Sequence, residues 1–84
     1  MSELSFRFRG HTYSIKVAQF SGRLSLGYDG WLLGEFWSIE KLISHIEEQA
    51  RWTEGAIRAP KLPKRVVTKI ETFVQSNATA WQGN

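Results

Sequence analysis

The first 37 residues alternate apolar and polar positions, the pattern of half-buried β-strands. Strands are predicted within about 4–36, over residues 4–9, 13–17, 23–28 and 31–36. The connections carry turn residues. Gly10-His11 suits a two-residue hairpin, Gln19 to Gly22 forms a four-residue connection, and Asp29-Gly30 is typical of a type I′ turn.

These turns set the strand registers independently of one another. The first pairs Phe8 with Tyr13, the second pairs Ile15 with Leu26, and the third pairs Tyr28 with Trp31. All three registers bring the apolar side chains to one face of a four-stranded antiparallel meander. The two full rows on that face are Phe6, Ile15, Leu26 and Leu33, and Phe8, Tyr13, Tyr28 and Trp31.

The apolar period becomes helical after Ser38, which is a natural N-cap, and Trp37 is expected to pack on Leu42 as a hydrophobic staple. Helices are predicted over about 39–52 and about 63–77, and the second has Pro63 at its first position. A loop over 53–62 joins them, and 78–84 form a tail. We therefore expect a single α+β domain over residues 1–84, with both helices on one sheet face in the order ββββαα.

Composition narrows the classes of protein. Eighty-four residues support one core, and the absence of cysteine excludes a disulfide framework, a thiolate zinc site and a thiol nucleophile. No apolar run approaches the ~18 residues that a membrane span needs, and the first residues lack the pattern of a signal peptide. We expect a cytoplasmic protein with no membrane contact.

The residues that could carry catalysis are scattered. His11 falls in a predicted turn and His45 on a helix face, and neither has a partner at metal-ligand spacing. Glu47 and Glu48 are adjacent, so their side chains diverge around the helix and cannot form an acid pair. We expect no enzyme activity, no metal and no cofactor.

The first candidate surface is basic. Residues 56–84 carry five basic residues and one acidic residue, and the formal net charge of the chain is +3. This surface is either a contact for nucleic-acid phosphates or an acidic protein, or a solvated face that aids solubility. Its cations are Arg58, Lys61, Lys64, Arg65 and Lys69.

The outer sheet face is a second candidate. Its basic side chains, interspersed with serines, could lie along a nucleic-acid groove, although a polar outer face is also what any two-layer domain needs. The basic residues predicted on this face are Arg7, Arg9, Lys16 and Arg23.

The third candidate surface is apolar. The predicted register places Leu32 and Phe36 on the outer face near Trp37, where they would form a partner or homodimer contact. Alternatively, the fourth strand bends after Gly34 and turns Phe36 into the core. The remaining tryptophans, Trp31, Trp52 and Trp81, are expected to pack on the core.

The stretch YDGWLLGEFWSIEKLISHI leads from a strand through a serine N-cap into an amphipathic helix, after a short meander and before a second helix. This order resembles that of small phage-encoded anti-defence proteins of the type I-F anti-CRISPR kind. At residue level the similarity runs from Gly34 to Ile46. The resemblance implies a non-catalytic protein that occupies a surface of a larger complex, but the basic C-terminal third departs from nucleic-acid mimicry.

We therefore expect a small binding module that acts by protein–protein interaction, as an accessory or inhibitor from a phage or mobile element. The alternatives are a nucleic-acid-binding protein that uses the basic sheet face and residues 58–69, and a homodimer.

Overall fold

The computed structural model describes residues 3–18 and 22–82. The strands are β1 (Leu4–Phe8), β2 (His11–Val17), β3 (Leu24–Tyr28) and β4 (Trp31–Phe36), and the helices are α1 (Ile39–Glu54) and α2 (Lys64–Gln82). The four strands form one antiparallel sheet in the order β1-β2-β3-β4, which confirms the predicted ββββαα order. The predicted connection at residues 19–21 lies outside the described residues, as does the side chain of Trp81.

The register between β1 and β2 differs from the prediction by two residues. Phe6 lies opposite Tyr13, and Phe8 lies opposite His11. The turn is formed by Arg9 and Gly10, whose φ angles of 55° and 83° are those of a type I′ turn. Because the shift is even, every side chain keeps its predicted face, but Arg9 moves from a strand into the turn.

The register between β2 and β3 is confirmed, with Ile15 opposite Leu26 and Tyr13 opposite Tyr28. Between β3 and β4 the predicted Leu26–Leu33 pair is wrong. Leu26 pairs with Gly34, and Leu33 is the extra residue of a β-bulge.

The two helices pack on the same face of the sheet, α1 against β3 and β4 and α2 against β1 and β2. At the start of α1, the Ser38 hydroxyl accepts a hydrogen bond from the Lys41 amide at 3.2 Å, as predicted for an N-cap. The loop before α2 is attached to α1, because the Leu62 amide donates to the Glu47 carboxylate at 2.9 Å. In α2, Ile70 is fully buried.

The core lies between the sheet and the helices. Its fully buried side chains are Tyr13, Ile15, Leu26, Leu42, Ile46 and Ile70.

Three tryptophan predictions are wrong. Trp31 is 76% exposed and Trp52 is 72% exposed, so neither is in the core. Trp31 is the first residue of β4, an edge strand with a neighbouring strand on one side only. Trp37 is 70% exposed and does not close the start of α1 as a staple.

Candidate interaction surfaces

The edge strand β4 carries a group of exposed apolar side chains. Trp31 and Leu32 belong to the strand, Trp37 follows it directly, and all three are at least 70% exposed. Trp31 and Leu32 are adjacent in the strand, so their side chains lie on opposite faces of the sheet, and Trp37 follows at the far end of the edge. Several large exposed apolar side chains along one sheet edge are typical of a contact surface, whereas a single exposed leucine is common on any protein. We call these three residues the β4 patch.

Phe36 is not part of the β4 patch. It lies opposite buried Leu24 and packs against the core, and its ring centroid is 5.1 Å from that of His45 on α1. The bulge at Leu33 adds one residue to β4, and this reverses the face on which the following side chains lie. The structure therefore has the inward arrangement of Phe36 rather than the outward one.

The charges beside the β4 patch are paired. Arg23 donates a hydrogen bond to the Glu35 carboxylate at 2.9 Å, and its guanidinium lies 4.8 Å from the centroid of the Trp37 ring. Glu35 is the only charged residue of β4. The edge therefore lacks the unpaired lysine or the proline that often protects an edge strand from pairing with another chain.

The flank of α1 next to β4 forms an open groove of about 320 Å³. Its position follows from His45, which lines the groove and contacts Phe36 of β4. One turn beyond the groove, Arg51 lies 5.2 Å from the exposed ring of Trp52. The groove is lined by Glu40, Lys41, Ser44, His45 and Glu48.

The outer sheet face offers fewer available cations than predicted. Arg9 leaves this face and forms a two-point ion pair with Glu54 at the end of α1, with the second contact at 2.7 Å. Arg23 is occupied by Glu35. Arg7 donates to the Gly10 carbonyl at 3.0 Å, which leaves its charge uncompensated, so Arg7 and Lys16 are the exposed cations of this face that form no ion pair among the described residues.

The basic segment, defined as residues 58–69, lies in the loop before α2 and in the first part of α2. All five of its cations are exposed. None of their side chains forms an ion pair or hydrogen bond within the part of the chain that the structure describes. The outer sheet face and the exposed side of α2 lie on opposite layers of the fold, so the two predicted basic sets do not join into one surface.

A polar cluster that was not predicted from the sequence lies at the end of the sheet that carries the β1–β2 and β3–β4 turns. Asp29 accepts a hydrogen bond from the Thr12 amide at 2.9 Å, and its other oxygen lies 2.8 Å from Nδ1 of His11. The Thr12 amide, followed by His11, holds the pKa of Asp29 below its usual value. The hydrogen bond from Arg9 likewise lowers the pKa of Glu54. These contacts tie the two turns and the end of α1 together, and Asp29 in the turn was their only visible signal.

The described residues contain no group of three or more histidine, aspartate or glutamate side chains placed to hold a metal ion. Within those same residues, neither helix has the length and apolar character needed to cross a membrane.

Comparison with known proteins adds no relative: no protein-family model, no curated protein and no solved structure matches the chain.

Proposed function

We propose that this chain is a small non-catalytic binding module that acts by protein–protein interaction in the cytoplasm, as an accessory or inhibitor of a larger complex. The observation that carries the proposal is the β4 patch on an unpaired sheet edge. Trp31 and Trp37 lie at the two ends of β4 with Leu32 between them, and each is at least 70% exposed. Tryptophan, with tyrosine and arginine, is enriched among the residues that anchor protein interfaces.

The partner presents an extended segment that adds a strand beside β4. The main-chain groups of an edge strand are available on one side, and an added strand would satisfy them. Every second side chain of that strand would face the α1 flank, where the groove beside His45 offers room. The paired charges of Arg23 and Glu35 leave the edge nearly neutral, which favours an apolar segment.

Affinity capture from lysate, followed by titration of the captured protein, tests this proposal. The variant Trp31→Ala/Leu32→Ala/Trp37→Ala removes the patch, and we expect Trp37→Ala alone to weaken binding about 30-fold, the effect of a ~2 kcal/mol hot spot. The matched control is Trp52→Ala/Ile57→Ala, because both side chains are at least 72% exposed and lie outside β4. Equal losses in the two variants would contradict the proposal.

A main-chain substitution separates strand addition from simple side-chain contact. Tyr28 and Trp31 flank a two-residue turn and form the hydrogen-bonded pair there, so the Leu32 amide points away from β3. Leu32→Pro should therefore preserve the fold and weaken the complex more than Leu32→Ala does. A dimer in light scattering that dissociates in the patch variant would assign the edge to a second copy and contradict a different partner.

A further inference from the structure

We propose that the basic segment is a second binding site, which contacts the phosphate backbone of nucleic acid. Its five cations occupy twelve consecutive residues, and the sequence contains no acidic residue from Gly55 to Ile70. All five are exposed and have no partner within the described residues. A dense set of unpaired cations is the electrostatic footprint of a phosphate-binding surface.

The neighbouring carboxylates form no ion pair with these cations in the part of the chain that the structure describes. Glu54, the last acidic residue before the segment, pairs with Arg9 of the β1–β2 turn. Glu47 accepts the amide of Leu62. Glu47 and the exposed Glu71 keep their negative charges, but neither forms an ion pair with a cation of the segment among the described residues, so the net field of the five cations remains positive.

The arrangement also has a local cost in the free protein. Lys64 and Arg65 occupy the first turn of α2, which contains no acidic residue. Positive side chains there oppose the helix dipole, whereas Asp and Glu are favoured in that position. Phosphates bound beside these residues would remove the repulsion.

The side chains around the cations favour nucleic acid over an acidic protein. Within residues 58–69 the large apolar residues Leu62 and Val66 are turned into the core, and the large apolar side chain exposed beside the segment is Ile57, next to Arg58. The cations from Lys61 to Lys69 therefore have no exposed aromatic or leucine side chain among them to act as the anchor of a protein interface. The exposed threonines Thr68 and Thr72 add hydroxyl donors beside Lys69. Lysine, arginine and threonine are common donors to phosphate oxygens, and such contacts read no base sequence.

The salt dependence of binding to a short labelled DNA duplex tests the proposal with the full chain. Five neutralised phosphates predict a loss of affinity of about 500-fold between about 50 mM and about 200 mM salt. The variant Lys61→Gln/Lys64→Gln/Arg65→Gln leaves two of the five cations, so its loss should be only about 10-fold over the same range.

The control variant Arg7→Gln/Lys16→Gln/Lys41→Gln removes the same net charge from exposed positions outside the segment. It should keep nearly the wild-type affinity and salt dependence. Circular dichroism melts of both variants check that the fold is retained.

Three outcomes would overturn the proposal: no binding at the lower salt concentration, equal losses in the two charge variants, or polyglutamate binding as tightly as the duplex. The last result would assign the segment to an acidic protein. The β4 patch variant Trp31→Ala/Leu32→Ala/Trp37→Ala should bind the duplex as wild type does, so failure of this site and failure of the β4 site are distinguishable.

Discussion

Removing the hydroxyl of Tyr13 should stabilise the protein. Tyr13 is fully buried, and its hydroxyl oxygen is the one buried side-chain polar atom among the described residues that has no hydrogen-bond partner. Its ring is held by aromatic neighbours, with ring centroids 5.7 Å from Phe6 and 5.2 Å from Tyr28. Tyr13→Phe keeps these contacts and deletes only the unpaired group.

The magnitude follows from the cost of burying an unpaired polar group, which is about 1–3 kcal/mol. Phenylalanine leaves a small void where the oxygen was, so we expect a net gain of about 1 kcal/mol in the free energy of unfolding at pH 7. For a domain of this size the gain corresponds to a Tm about 4–8 °C higher.

Alkaline pH should enlarge the difference. Burial, with a smaller effect of the nearby Tyr28, raises the pKa of Tyr13 from 10.0 to about 12. Because the phenol ionises less readily in the folded state than in the unfolded state, its neutral form contributes stability that is fully present below pH 10 and is lost as the pH rises toward 12. At pH 11, ionisation of the Tyr13 phenol in the unfolded chain lowers the free energy of unfolding of the wild type by about 1.4 kcal/mol. Tyr13→Phe has no phenol at this position and does not lose this stability.

Urea unfolding at pH 7 and pH 11 measures both effects. Tyr28→Phe is the control, since the Tyr28 hydroxyl lies 3.4 Å from Oγ1 of Thr53 and is not fully buried. If Tyr13→Phe is less stable than wild type by more than about 1 kcal/mol at pH 7, the hydroxyl has a partner and the reasoning is wrong. A difference that stays constant between the two pH values would refute the raised pKa.

Two further predictions concern acid and the core. The pKa values of Glu54 and Asp29 are lowered in the folded state, so the stability that these carboxylates contribute is complete above their unfolded pKa values and is lost as the pH falls below about 4.5. Arg9→Ala should make that loss of stability shallower in urea unfolding between pH 6 and pH 2. An unchanged pH profile would contradict the ion pair between Arg9 and Glu54. Ile70→Ala should cost about 2–5 kcal/mol in thermal unfolding because Ile70 is fully buried, whereas exposed Lys69→Ala should change stability by less than about 0.5 kcal/mol; equal effects would contradict the packing of α2.

The alternating pattern predicted the elements and the sheet face of most side chains, because both depend on local periodicity. It predicted the β1–β2 register wrongly, since Gly10 fits either position of a two-residue turn. An even shift of register leaves every side chain on the same face. The apolar pattern was therefore compatible with both registers, and Arg9 was the residue whose neighbours changed most.

The candidate surfaces were harder to predict for a different reason. Whether Trp31 is buried depends on how far the helices extend over the edge of the sheet, and hydrophobicity alone carries no such information. Trp52 lies about 200° around α1 from buried Ala50, so helical spacing, unlike hydrophobicity, favoured its exposure. The inward position of Phe36 required a bulge, for which Gly34 was only a weak signal. The basic segment was easier to predict than the apolar surface, because its cations are close together in sequence and must also be close in space.

The two proposed sites lie on different parts of the fold. The helix α1 covers β3 and β4, and α2 covers β1 and β2. Neighbouring strands are about 4.8 Å apart, so β4 and β1 are separated by roughly 14 Å. A segment added beside β4 extends the sheet outward and leaves the exposed side of α2 uncovered, so one protein molecule has room for both ligands.

The forces at the two sites also differ in kind. The free energy gained by burying the β4 patch depends on apolar area and is little affected by salt screening. Attraction by the basic segment depends on charge, which is screened within about 8 Å at physiological ionic strength. Net charge and hydrophobic content alone describe a generic basic domain. The two proposals assign different classes of ligand because the charges beside β4 are paired, whereas those of the basic segment are not paired among the described residues.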